Sequence, residues 1–419
     1  MLGLKKWYFG WNIVLMASLL SMLTAGMRMS IGPFVIPMSE GLGVSRGWFS
    51  AVVALGMLFY GVGMPIAGYY VTKFGTRSTL LLGASLVSVS LVTTVYASNS
   101  FMFIVSYGVL LSIGLSFMSS VALTPLISRW FIKYRAMALL LLTSGAMAGI
   151  AVMTPLFTEM IKFFGWQQTI LIYAFFLFAF TLFLVFVFIR DAAPEYADLD
   201  ERDVENIQHT LPKKETNVRV AGLRFKKAMA MRPFWLINLG AFACGFSMNL
   251  LGTHAVPMLI DHGFTAEVSA YGVSLIGFIA IFSTVMMGRI AVKVEHRYIL
   301  VSIFFVRAIA FFALAAVATP VQLYAVTFIG GWVWTGNMAL ASGMIADMYG
   351  VKRVGLLYSW TFFIHQIGAT LSTWLGGWAY EVYHTHWVAF GTAGVFLLIA
   401  SFVSLLLPRH VQYKKCFQL

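Results

Sequence analysis

Four ionisable side chains fall inside segments otherwise apolar enough for a bilayer: Arg28, His254, Arg307 and His365. Charge at membrane depth is costly, so each marks a partner or a cavity. Arg28 sits in AGMRMSIGPFVIPM, residues 25–38, where Gly26, Ser30 and Gly32 leave space and Pro33 and Pro37 interrupt helical hydrogen bonding. A guanidinium there presents a planar fork of donors that matches a carboxylate in bidentate fashion. The competing role is structural, with Arg28 capping carbonyls beside the proline break. No Asp or Glu falls mid-span, so an arginine there keeps an open valence for an anionic ligand. His365, beside Gln366 in FFIHQIGAT, can take a proton near neutrality. That suits substrate contact or proton coupling, with simple packing as the alternative.

The remaining candidates are weaker. His254 lies three residues before Pro257 and suits an outer gate, a helix break or the cavity. Arg307 suits a bridge to a neighbouring helix, with substrate contact or gating as alternatives. Asn249 and Asn337 are buried amides that need partners, and Tyr358 is placed to line a vestibule. Among 37 Phe and 12 Trp, most aromatics are packing or interface anchors. Paired carboxylates and metal-ligand clusters are absent at membrane depth, and no GxxxxGK[ST] loop occurs. The expectation is a protein that is not an enzyme, with no catalytic residue, metal or cofactor and no ATP drive.

Long apolar elements must position these groups. The 419-residue chain is 60% hydrophobic and 10% charged, against roughly 25% charge in a soluble domain. Spans are expected at about 10–37, 47–70, 78–97, 101–125, 136–161, 167–189, 233–260, 268–291, 298–317, 321–345, 354–380 and 386–407. Their length excludes the short alternating strands of a barrel. The first is read as a retained helix, since no small-residue cleavage site follows it. Cys244 and Cys416 are not expected to pair.

The net charge of +13 reads as membrane orientation rather than nucleic-acid binding. Lys5, Lys6, Lys73, Arg77, Arg129, Lys133, Arg135, Lys293, Arg297, Lys352, Arg353, Arg409, Lys414 and Lys415 all fall on one side if twelve helices are counted. The positive-inside rule puts that side, with both termini, in the cytoplasm.

The chain also repeats itself at an offset near 220. Pro37-Met38 matches Pro257-Met258, Gly43 matches Gly263, Gly68 matches Gly288 and Arg77 matches Arg297. The expected division is a six-helix bundle over 1–190, a cytoplasmic linker over 191–232 with mixed charge, and a second bundle with a short tail over 233–419. Two such repeats around a shared cavity describe a carrier whose halves rock.

GYYVTKFGTR, residues 68–77, resembles the loop motif of the major facilitator superfamily through Gly68, Lys73, Gly75 and Arg77, with Thr72 in the usual acidic place. The mirrored GRIAVKVEHR keeps Gly288 and Arg297, with Val292 in the acidic place and Glu295 replacing the later glycine. SRWFIKYRAMALLLLTSGAMAG and HAVPMLIDHGF, with the span-one segment, resemble the monocarboxylate transporter and oxalate/formate antiporter group. In carboxylate carriers of that group an arginine stands in span eight where this chain has Thr284, and an aspartate where it has Ala280. The resemblance implies the twelve-helix facilitator fold. The loop charges suit a bacterial inner membrane, with a eukaryotic plasma membrane as the alternative. The expected protein is a membrane-embedded monomer moving a small organic anion such as a monocarboxylate by proton symport. The proton is carried on the substrate or on His365, because no acid lies mid-span. Exchange, facilitation, or transport of a non-anionic metabolite, amino acid or drug are the alternatives, because the group's usual anion anchor is missing.

Overall fold

The computed structural model describes residues 8–190, 192, 198, 229–291, 293–349 and 351–408. Lys5, Lys6, Val292, Arg409, Lys414, Lys415, Cys416, the side chains of Lys352 and Arg353, and most of the 191–232 linker lie outside them. Every regular element among the described residues is helical. This follows from the solvent, since a lipid-facing backbone must satisfy its polar groups within the segment. Eight helices there are long and apolar enough to cross a membrane.

Helix α1 (Gly10–Met29) stops just before Pro33, and α2 (Gly32–Leu42) resumes with that proline in its first turn. Pro33 has no N–H to offer the Met29 carbonyl one turn back, so the helix breaks there. Helix α3 (Arg46–Val95) is 50 residues long, but Gly75 adopts φ 81°, ψ 172° and divides it into two rods. After α4 (Ser100–Phe103) and a π-helical stretch over Ile104–Leu110 come α5 (Leu111–Phe117) and α6 (Ser120–Trp130). Helix α7 (Arg135–Val187) is divided at Gly165, φ 77° and ψ 167°. The chain resumes as α8 (Arg232–Asp261), α9 (Ala266–Ile290), α10 (His296–Ala315), α11 (Pro320–Trp332), α12 (Asn337–Tyr349), α13 (Val351–Tyr383) and α14 (Trp387–Leu405).

The Gly165 backbone lies in a region that only glycine occupies without strain, at about 1–3 kcal/mol for other residues. A Cβ there would meet nothing closer than 3.8 Å, so conformation alone is at stake. Gly165→Ala is expected to lower the thermal midpoint in detergent. Gly391→Ala, in open space inside α14, is expected to leave it unchanged or raise it.

The repeat has a structural counterpart. Gly43 and Gly263 both take positive φ, 64° and 90°, and each is followed two residues later by a capping hydroxyl. Ser45 accepts from the Trp48 N–H at 3.1 Å, and Thr265 from the Val268 N–H at 3.3 Å. The symmetry fails at the next turn. Glu295 stands opposite Gly75 and has φ −56°, ψ 130°, which needs no glycine.

Buried residues form two cores. One runs from Ile13 to Ile189 and takes in Ala369. The other runs from Phe234 to Leu407 and takes in Met29 and Ile150. Helices of the two cores meet along three seams: α3 on α13, α7 on α9, and α1–α2 on α8. Glycines allow the close approach. A Cβ on Gly252 would lie 2.7 Å from the Met29 carbonyl, and one on Gly277 2.6 Å from the Ala151 N.

Candidate functional site

A cavity of about 470 Å³ lies where these seams converge. Its lining comes from α1, α7, α8, α9, the start of α10, α12 and α13 and from the break between α11 and α12. Arg28, Asn249, Asn337 and His365 are all part of it. Their separation in the chain hides this, and only the α1–α8 crossing and the approach of α13 to α8 bring them together. The latter is tight enough that a Cβ on Gly245 would collide with the His365 carbonyl.

Arg28 is half-buried in the last turn of α1. Its Nη1 donates to Asn249 Oδ1 at 3.4 Å, and its guanidinium lies 4.8 Å from the Tyr60 ring centroid. The hydrogen bond is long by ordinary standards. Asn249 is oriented from below, its Nδ2 donating to the Gly245 carbonyl at 2.9 Å. No ion pair to Arg28 occurs among the described residues. An arginine with five donors and one long hydrogen bond can accept a carboxylate without breaking a strong contact.

His365 is 6% exposed, stacks on Phe362 at 5.4 Å, and leaves its Nδ1 without a hydrogen-bond partner. Among the described residues that buried Nδ1 has no partner, while the residue as a whole lines the cavity, and buried polar groups of this kind are ordinarily hydrogen-bonded. Thr284, in the place of the group's arginine, also lines the cavity. Its hydroxyl bonds the Ala280 carbonyl at 2.8 Å and Thr335 Oγ1 at 3.2 Å.

The other candidates lie elsewhere. Arg307 is fully buried below the break between α11 and α12, its Nη2 donating to the carbonyls of Trp334 at 2.6 Å and of Val333. It ties α10 to that break. His254 Nε2 lies 2.8 Å from the Thr373 carbonyl and joins α8 to α13. Tyr358 packs against the second core. Of the loop motif, Arg77 Nε donates to the Ile189 carbonyl at 2.6 Å, and Arg297 pairs with Glu295 at 2.9 Å. Lys73 lies over the Tyr69 and Phe74 rings. Gly288 stands at the cavity rim, and Gly68 accepts at its carbonyl from the Thr72 hydroxyl at 2.7 Å.

At the far end of the molecule the two cores are clasped together. Arg46 Nη1 meets Asp261 Oδ2 at 2.7 Å, and His386 Nε2 meets the same oxygen at 2.9 Å. Lys162 pairs with Glu267 at 2.5 Å. The cavity lining instead runs toward the opposite end, past exposed Gly288 to Ala291 and His296. The clasp was not visible in the sequence, where nothing beyond position sets Arg46 and Asp261 apart. Nor was Tyr60, one tyrosine among 17. The one available signal was position, with Arg46 just after Gly43 and Asp261 just before Gly263.

The family model of the Major Facilitator Superfamily matches residues 17–321 and 280–417. The chain belongs to the major facilitator superfamily. Among facilitators it is 25% identical over 413 residues to the MFS-type transporter YcxA of Bacillus subtilis (strain 168), covering 94% of each chain. It is 22% identical over 408 residues to the oxalate:formate antiporter of Oxalobacter formigenes, covering 96% of this chain and 91% of that one. The second relative belongs to the group that the span-one and span-seven motifs resemble. The fold matches a bacterial homologue of the human lysosomal transporter Spinster in an inward-facing, unoccupied conformation. Its TM-score is 0.72 at 16% identity, with 99% of both chains covered. This facilitator is a multi-pass membrane protein of a transporter family.

Proposed function

We propose that this facilitator is a secondary transporter of a small organic anion, foremost a monocarboxylate, in a bacterial inner membrane. The observation that carries the reading is Arg28. It is a cation in a cavity between two cores, engaged among the described residues only by a long hydrogen bond and a ring face. We assign Asn249 and His365 to completing the grip, and both line the chamber together with Asn337. The oxalate:formate antiporter, by its name, handles carboxylates, which favours the anion class over sugars or cations.

The movement we assign is rocking of residues 1–190 against 233–419, as a monomer with twelve spans and both termini in the cytoplasm. Division of α3 at Gly75 and of α7 at Gly165 supplies two of the spans that helix length alone conceals. The basic turns beside Gly68–Arg77 and Gly288–Arg297 mark the cytoplasmic side. The cavity reaches toward that side while Arg46–Asp261 and Lys162–Glu267 clasp the other, an arrangement that suits an inward-facing carrier. Exposed ion pairs contribute up to about 1 kcal/mol. Asp261→Asn is therefore expected to raise the outward-facing population by about fivefold. Faster labelling of a Met29→Cys reporter, on the cavity wall nearer the clasp, by an impermeant thiol reagent from outside would show it, and an unchanged rate would remove the clasp from gating.

A proton is the proposed co-substrate, carried on the substrate carboxylate itself or on His365, because the cavity lining holds no Asp or Glu. Exchange is the second reading, favoured by the name of the antiporter relative. Proteoliposomes separate the two. Symport predicts carboxylate uptake into empty vesicles that accelerates when the outside is acidified. Exchange predicts uptake only when the vesicles are preloaded with a carboxylate. Absence of carboxylate flux in both formats would reject the anion reading.

A further inference from the structure

The chamber around Arg28 is much larger than a two- or three-carbon acid requires, and its wall is mostly apolar. Arg28 is bonded to Asn249, and His365, 94% buried, lines the same chamber. The rest of the wall is dominated by Leu140, Met147, Met248, Met287, Trp334 and Phe362. Of the other polar groups on the wall, the Thr284 hydroxyl is already bonded to Ala280 and Thr335, which leaves Asn337, Thr143 and His296 among the apolar side chains. We propose that the transported anion is amphipathic, a monocarboxylate with an aromatic or comparably bulky apolar body whose head is held at Arg28 and whose body fills the methionine-lined chamber. This rests on the anion reading above and narrows it.

Size comes first. About 470 Å³ falls within the roughly 300–1,000 Å³ range of sites that enclose drug-sized ligands. A formate- or acetate-sized anion would occupy one end and leave the apolar walls facing water, gaining nothing from them. Along α9 the lining runs from Thr284 to Ala291, about 10 Å at the standard helical rise, so the long axis suits an extended body.

Charge comes second. Arg28 is the sole lysine or arginine in the lining. A second carboxylate placed down the chamber would meet thioethers and rings instead of a cation, and its desolvation would go uncompensated. Dicarboxylates are therefore disfavoured, as are sugars, whose many hydroxyls outnumber the Asn337, Thr143 and His296 side chains on those walls.

Texture comes third. Methionine is unbranched and polarisable, adapts to irregular shapes, and makes favourable contacts with aromatic ring edges. Met147, Met248 and Met287 come from three different helices, so they present such contacts to a ring from several sides.

The test uses full-length protein in nanodiscs, with thermal stabilisation and equilibrium binding as readouts. The ligands are acetate, phenylacetate, 3-phenylpropionate, 4-phenylbutyrate and the uncharged 4-phenylbutyramide. Wild type, Arg28→Gln and Met287→Trp are compared. Affinity is expected to climb about three- to fourfold per added methylene, with acid preferred over amide by at least tenfold in the wild type. Arg28→Gln should abolish that preference, and Met287→Trp should shift the optimum to a shorter acid. The acid-to-amide comparison on the wild type stands even if Arg28→Gln does not fold. Acetate binding as tightly as 4-phenylbutyrate, still dependent on Arg28, would overturn the amphipathic inference and leave the anion reading intact. Amide binding as tightly as acid, indifferent to Arg28, would overturn the anion reading itself. Binding of none of the five would overturn both.

Discussion

Arg28→Lys is expected to weaken carboxylate binding by at least tenfold, and Arg28→Gln by about a hundredfold, with little change in thermal stability. The magnitudes follow from charge-assisted hydrogen bonds, each about 1.5–3 kcal/mol, of which the arginine fork supplies two in parallel. Lysine retains the charge but offers a compact ammonium that cannot grip two oxygens in a plane. Glutamine loses the charge as well. Stability should be spared because Arg28 holds little of the fold together. Its hydrogen bond to Asn249 is 3.4 Å long, and its stacking on Tyr60 is of the exposed-to-intermediate kind worth about 0.5–2 kcal/mol. The check is a paired measurement of ligand affinity and unligated melting temperature on the same preparations. A fall in melting temperature with affinity intact would make Arg28 a structural arginine after all.

The opposite pattern is expected at Arg307. Arg307→Met should destabilise the protein by about 3 kcal/mol, since it strands the carbonyls of Val333 and Trp334, each costing about 1–3 kcal/mol when buried without a donor. Removing the buried cation recovers part of its desolvation cost, which keeps the net below the sum. The break between α11 and α12 also supplies Trp334, Thr335 and Gly336 to the cavity wall, so a loosened break should broaden ligand selectivity before it abolishes binding. Arg307→Lys should lose nearly as much stability, because one ammonium on a flexible stem reproduces neither the fork nor its stacking over the Trp334 ring at 5.2 Å. Thermal unfolding in detergent decides it, and unchanged midpoints in both variants would show that the break holds without Arg307.

Two arginines, both mid-span in sequence, thus carry different expectations, and their surroundings account for the difference. Arg28 sits beside an aromatic ring and one amide at the edge of a cavity. Arg307 has no exposed surface and two carbonyls within reach. Hydropathy cannot separate them, because each is a single cation in an apolar run. Their neighbours in space come from chain segments 221 and 26 residues away. The imidazoles divide in the same manner. His254 is consumed by a carbonyl of α13, and His365, on that same helix, lines the cavity.

The helical fold, the membrane setting and the family were legible in the sequence because each depends on local or averaged properties. Long apolar runs exclude strands and soluble domains. Pro33 breaks its helix wherever the helix lies, and the Gly68–Arg77 motif survives as a string. The 220-residue repeat was legible too, since Gly43 and Gly263 are required by backbone conformations that other residues reach only with strain. The tertiary structure alone decided that Asn249 and His365 face Arg28's cavity, that methionines dominate its walls, and that Arg46, Asp261 and His386 clasp the far end. These are contacts between helices distant in the chain. Which face of an apolar helix meets a partner, lipid or a cavity is set by packing against neighbours that a uniformly hydrophobic pattern does not name.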